Sequence, residues 1–364
     1  MDTVRVVEMT GVEPLRSQTI YHAVARNLDD RAPDTLLLVT PRAPYVSIGC
    51  HQDAEVELDL DACQRLGLPI VRREVGGGAV YLDSGQVFCQ WILHSGRLPP
   101  ALTDRFRLFA EPLVATYRAF GVLAEYRPVN DIHVSGRKIG GTGAATIGEA
   151  DVMVGSLMFE FRADLMAGVL RVASEKMRDK VAASLRDYVT SLSIELGQPP
   201  PRAAVVARYL DQCARTLGRP FQAGTLRPEE IESAEQLDRT MGSPEWTYRR
   251  RHRLAAGVRI HQDVHVYEGV SKAPGGLVRA TLVTRSGRIQ DLSFSGDFTV
   301  LPQGALDELT AALQGMSPDD PAGLEKALHA AYDRLSVDAP GLTPADLVAA
   351  IQVGLEQSPM PERE

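Results

Sequence analysis

The chain has 364 residues, 44% hydrophobic and 24% charged, a core-forming composition with length enough for about two domains. Its net charge of −8 argues against general attraction to nucleic acid, and no apolar run approaches the ~20 residues of a membrane span. The segment MDTVRVVEMT lacks the cationic lead and apolar centre of a signal peptide, and Cys50, Cys63, Cys89 and Cys213 show no paired spacing, so a reduced, cytoplasmic setting is expected.

In chain order, residues 4–9 read as a strand, and Leu15, Ile20 and Val24 set one apolar stripe on a following helix. Residues 36–39 and 45–48 are short apolar runs around a turn marked by Pro41 and Pro44. Residues 59–66 read as a helix stopped by Gly67. Residues 69–73, 79–81 and 87–93 read as strands around a glycine cluster, residues 102–120 as a helix, and residues 131–134 and 152–161 as strands. A helix over 202–217 leads to a polar stretch over 227–243. After it come alternating runs over 254–265, 277–284 and 289–294, then helical patterns over 304–313, 322–335 and 344–355. The expected organisation is an α/β domain over residues 1–235 and a small α+β domain over 236–364.

Two segments carry the chemistry. Arg73 precedes three successive glycines, Gly76, Gly77 and Gly78, between two strand patterns. Such glycines are entropically costly, and they serve where backbone must pass close to a ligand and aim N–H groups at its oxygens. The bland reading, a tight hairpin, has equal weight on this segment alone. In the second segment the strand-like run Asp131-Ile132-His133-Val134 enters a glycine turn that presents Arg137 and Lys138, and a further glycine-rich stretch follows. Two glycine-rich loops, each beside a cation, point to an anionic, nucleotide-like ligand. Neither loop is a dinucleotide fingerprint or a P-loop, since the required glycine and G-K-[ST] spacings are absent. His261 and His265 would lie about 13 Å apart on a strand, too far for one metal, and no metal site is expected.

The run RREVGGGAVYLD over 72–83 resembles the glycine-rich signature of the lipoate–protein ligases. Asn130-Asp131, the Gly136-Arg137-Lys138-Ile139-x-Gly141 element and Gly155-Ser156-Leu157 follow at similar spacing. Ser47-Ile48-Gly49 with Gln52 upstream is similar too, as are residues 176–192, Ser243-Pro244-Glu245-Trp246-Thr247 and Ser295-Gly296-Asp297-Phe298 downstream. The resemblance implies a mixed-sheet, biotin/lipoate ligase-like catalytic domain with a C-terminal accessory domain. It also implies a reaction: ATP with Mg²⁺ activates lipoate or octanoate to an acyl-adenylate, and a lysine of a lipoyl-domain acceptor, such as an E2 subunit or glycine cleavage H protein, receives the acyl group.

By motif match Lys138 is the catalytic residue. Arg73, Gly76, Gly77, Gly78, Ala79, Tyr81, Gln86, Asn130, Asp131 and Gly141 surround the nucleotide and acyl group. The expected enzyme is a monomer with no nucleic-acid or membrane partner. Val75, Leu82, Gly140 and Val154 depart from the family pattern and leave the acyl and acceptor preference open. An ATP-independent acyl transferase of the same fold is the alternative, with Cys50 or Cys89 as nucleophile. A non-catalytic lipoyl binder is a third reading.

Overall fold

A computed structural model describes residues 3–249 and 264–357. The chain divides into two compact units, one of Met1–Ile48, Ala54–Val75 and Ala79–Thr247, the other of Gly49–Asp53, Gly76–Gly78 and Tyr248–Glu364. Residue 235, the boundary expected from the sequence, lies inside the helix Pro228–Met241 of the first unit.

The first unit is built on a six-stranded mixed sheet in the order Gly143–Ile147, Ala150–Met158, Gln86–His94, Thr35–Pro41, Val4–Val12, Phe221–Ala223. Val4–Val12 runs parallel to both of its neighbours, and the other pairings are antiparallel. Gln86–His94 is buried on both faces, so apolar residues stand on both sides of it rather than on alternate positions. Its period of two still sorts the side chains. Gln90 donates to the Ser17 carbonyl at 2.8 Å in the helix Arg16–Arg26. Trp91, on the other face, packs on Phe109 at 5.3 Å and donates to the Tyr209 hydroxyl at 3.1 Å. Buried Asp34 accepts from the His94 ring at 2.7 Å, Arg97 at 2.9 Å and Arg219 at 2.5 Å. Burial opposes its ionisation, but these donors and the His94 amide prevail and hold the carboxyl at about 2.

Two smaller sheets complete this unit. Tyr45–Ile48 lies between Ile70–Arg72, parallel to it, and Val80–Leu82, antiparallel to it. The second sheet is an antiparallel meander of Ala124–Arg127, Asp131–Val134 and Arg137–Gly141. Arg137 and Lys138 open the strand that follows the glycine turn. The turn is confined to Ser135 and Gly136, both at positive φ (49° and 82°), and Val134 pairs directly with Arg137. A two-residue hairpin turn of type I′ needs that backbone at both positions.

The polar stretch over 227–243 is mostly helix. Pro228 opens a helix whose first turn is fixed by the buried Glu230, which accepts from the Arg227 amide at 2.7 Å and from Arg5 at 2.6 Å. Ala234, Leu237 and Met241 supply a thin apolar stripe. Pro244–Thr247, which the resemblance gives to the accessory domain, belongs to the first unit: Trp246 donates to the Arg72 carbonyl at 3.1 Å, and buried Arg72 donates to the Thr247 carbonyl at 3.0 Å.

The second unit holds an antiparallel meander, Val264–Ala273, Gly276–Arg285 and Arg288–Gly296, followed by helices Ala305–Ala312, Pro321–Leu335 and Pro344–Gln357. Phe294, Phe298, Leu309, Leu324, Leu328 and Leu347 form its core. Most of the strand expected over 254–265 lies outside the described residues, and the described strand begins at Val264. No helix among the described residues is long and apolar enough to cross a membrane.

Candidate active site

The meander brings four of the expected residues together. Lys138 opposes His133 across the strand pair, and its Nζ donates to Asp131 Oδ1 at 2.7 Å. The lysine side chain keeps 37% of its exposure and the aspartate 23%, so the pair sits at a rim that a ligand can reach. Asp131 takes one of the three donors of the ammonium group. Gly141 closes the far side of the pair. A Cβ there would stand 3.3 Å from Asp131 Oδ1 and 3.4 Å from Lys138 Cε and Nζ. Asn130 enters through Thr142: its side chain donates to the Thr142 carbonyl at 2.5 Å, and the Thr142 amide donates to the Asn130 carbonyl at 2.8 Å.

Residues that the sequence reading did not single out hold Lys138 in place. Its carbonyl accepts from the Thr190 amide at 2.8 Å, and Lys138 and Val189 form a parallel bridge. Glu195 then accepts from Arg137 at 2.7 Å and from the Thr190 hydroxyl at 2.5 Å. Serine at 191 followed by a short helix with an acid at 195 is the one sequence signal for this support, since Ser191 caps Leu192–Leu196.

The remaining candidates are spread through both units. Arg73 donates to the Ser47 carbonyl at 3.2 Å and its hydroxyl at 3.3 Å. Ala79 is partly buried against the apolar cluster that contains Tyr81. Tyr81 is itself buried, and its amide donates to the Met166 sulfur at 3.1 Å. Burial, with Asp83 beside it, pushes the Tyr81 phenol up to about 12, so it stays protonated near neutrality. Gln86 is buried and donates to the Tyr81 carbonyl at 3.4 Å.

Gly76, Gly77 and Gly78 belong to the second unit, where the Gly77 amide donates to the Phe298 carbonyl at 3.3 Å. In the same unit a side chain at Gly49 would run into the Gly77 carbonyl oxygen, so this backbone contact requires glycine. Cys89 is fully buried, and burial pushes its thiol to about 12. Cys50 is half-buried in the second unit. Among the described residues, no three His, Cys, Asp or Glu side chains converge as a metal site.

The mixed sheet with its Lys-bearing meander is a biotin/lipoate ligase-like fold, and a solved structure shares it. The bipartite lipoate protein ligase of Thermoplasma acidophilum, studied with its E2 lipoyl domain, superposes with a TM-score of 0.63 at 25% identity, covering 70% of this chain and all of that one. Within that fold the chain belongs to the lipoyl protein ligase A/B catalytic domain family, whose model matches residues 13–214. Its relatives carry two names. An octanoyltransferase LipM of Kyrpidia tusciae is 28% identical over 241 residues, 60% of this chain and 88% of that protein. Lipoate–protein ligase 1 of Staphylococcus aureus is 25% identical over 313 residues, 84% of this chain and 88% of that protein.

Proposed function

We propose that this protein is an ATP-dependent lipoate–protein ligase. The observation that carries the reading is the half-exposed Lys138 ammonium, held 2.7 Å from Asp131 with the Gly141 gap beside it. In the first step a lipoate or octanoate carboxylate attacks the α-phosphate of ATP, forming a mixed anhydride and releasing pyrophosphate. In the second, the amine of an acceptor lysine attacks the acyl carbon and releases AMP. Both steps build negative charge on oxygens near the reacting centre, and a fixed cation stabilises it in each. Lys138 takes that role.

Arg73 contributes a second cation. Ala79, Tyr81, Gln86, Asn130, Asp131 and Gly141 shape the ligand's surroundings. Mg²⁺ carried by the nucleotide phosphates would neutralise charge on the pyrophosphate leaving group. The acceptor in this reading is a lipoyl-domain protein, of the kind studied with the Thermoplasma acidophilum ligase.

The kinship with octanoyltransferases named LipM keeps one competing reading, transfer of an acyl group between carrier proteins without ATP. Cys89 does not support it, because a buried thiol pushed to about 12 supplies almost no thiolate at neutral pH. The deciding measurement is pyrophosphate release from ATP and Mg²⁺ with lipoate or octanoate, in wild type and in Lys138→Ala. Release that the substitution abolishes supports the ligase. No release from wild type, together with acyl transfer from a carrier protein, establishes the transferase instead.

A further inference from the structure

We infer that Tyr117 is a positioning residue whose buried hydroxyl fixes the strand bulge that aims Lys138; the inference rests on the ligase reading above. The bulge lies in the meander. Lys138 opposes His133, Gly140 opposes Ile132, and Ile139 between them is an extra residue with no partner across the pair. Lys138 thereby stands on the same face as His133 and Asp131, alternate residues of the facing strand. A bulge re-aims a side chain, and it also interrupts the ladder that holds the backbone in place.

Tyr117 supplies the hold that the ladder lacks there. It is fully buried on the helix Leu102–Ala119, at the end of an apolar stripe formed by Leu102, Phe106, Phe109, Ala110 and Leu113. A phenylalanine would continue that stripe; the hydroxyl adds two hydrogen bonds. It donates to the Ile139 carbonyl at 3.4 Å and accepts from the Met158 amide at 2.9 Å. Met158 ends the strand Ala150–Met158, so one oxygen ties the bulge to the six-stranded sheet. Burial pushes the phenol far above its ordinary range, which keeps the proton available to the Ile139 carbonyl. The Thr190 amide holds the neighbouring Lys138 carbonyl, so two successive carbonyls are gripped by different elements. Charge on the reacting oxygens develops in the transition state, and the aim of the ammonium group counts most there. Loss of the hydroxyl therefore lowers the rate of the chemical step and leaves lipoate binding unchanged.

The test compares Tyr117→Phe, which keeps the ring and removes the hydroxyl, with Tyr209→Phe as control. Tyr209 is also fully buried, and its hydroxyl accepts from Trp91 at 3.1 Å, on a helix and a strand outside the meander. In steady-state pyrophosphate release, kcat falls about tenfold in Tyr117→Phe with KM for lipoate unchanged, and Tyr209→Phe stays within about twofold of wild type. Incorporation of para-aminophenylalanine in place of Tyr117, whose amino group still donates to the Ile139 carbonyl, recovers most of the loss. A second readout needs no turnover: the rate of Lys138 acetylation by trace acetic anhydride, measured by peptide mass spectrometry against exposed Lys326. A lysine loosened from Asp131 reacts more readily, so acetylation quickens about threefold in Tyr117→Phe and not in Tyr209→Phe.

If Tyr117→Phe does not fold by near-ultraviolet circular dichroism, para-fluorophenylalanine takes its place, close to the hydroxyl in size but without a proton to donate. Unchanged kcat and unchanged acetylation in the Tyr117 variants of an active enzyme overturn the inference, as does an equal loss of kcat in Tyr209→Phe. A wild type that releases no pyrophosphate while the acetylation contrast persists overturns the ligase reading and leaves the role of Tyr117 standing.

Discussion

At Gly141 the difference between a hydrogen and a methyl group decides whether the central ion pair keeps its geometry. Because an added Cβ would press on both Asp131 and Lys138, Gly141→Ala must shift one of them by a few tenths of an ångström. We expect lipoate-dependent pyrophosphate release to lose about tenfold in kcat/KM, with the urea midpoint unmoved, because positional error weighs on the transition state more than on the fold. An unchanged kcat/KM would remove Gly141 from the site.

Cys89→Ala should act in the opposite sense. It leaves a cavity in the central sheet and lowers stability by about 1 kcal/mol, yet retains activity within twofold. Loss of acyl transfer in a stably folded Cys89→Ala protein would revive the nucleophile reading. Asp34 gives the pH dependence. Its carboxyl lies at about 2 in the fold against an ordinary 3.8, so its contribution is complete above that ordinary value and disappears as pH falls toward 2. Asp34→Asn should therefore flatten the acid limb of the stability profile by about 2 kcal/mol, read from urea melts between pH 5 and 2.

At this scale the sequence made Lys138, Asp131, Asn130 and Gly141 legible, because they lie within one short stretch and share a fixed order. Glu195 and Thr190 were not legible as supports, since only the fold carries that segment to the meander.

Among the elements, those with strong periodicity were readable: the helices Arg16–Arg26 and Leu102–Ala119 and the strand Gln86–His94 all stand where their apolar positions place them. Two that were not show what periodicity leaves out. Arg137–Gly141 has too much glycine to look like a strand, and its conformation comes from pairing with Asp131–Val134 on one edge and bridging to Val189 on the other. Pro228–Met241 has too few apolar residues to look like a core helix, and a buried ion pair replaces the missing signal. Removing half of that pair tests it. Glu230→Ala leaves Arg5, itself 10% exposed, without its carboxylate partner and should cost about 3–5 kcal/mol in urea unfolding. A cost under about 1 kcal/mol would mean that the helix is held by its apolar stripe alone.

For the whole molecule, the two units have separate cores, and the chain's two tryptophans, Trp91 and Trp246, both belong to the first. Tryptophan emission therefore reports on one unit while far-ultraviolet circular dichroism reports on both. Phe294→Ala, in the core of the second unit, should destabilise that unit by about 3–5 kcal/mol. We expect the dichroism transition to split or move to lower urea while the tryptophan transition stays in place. A parallel shift of both would show that the units unfold as one.

The first strand has a consequence for synthesis. Among the described residues, one edge of Val4–Val12 pairs with Phe221–Ala223, over Val4–Val6, and that partner is made roughly 200 residues later. At about 5–20 residues per second, a ribosome needs on the order of 10–40 s to supply that partner. Throughout the interval the growing chain carries an open strand edge, a template for pairing with other chains. Slower elongation lengthens that exposure, so the yield of folded protein becomes a function of translation rate as well as of final stability.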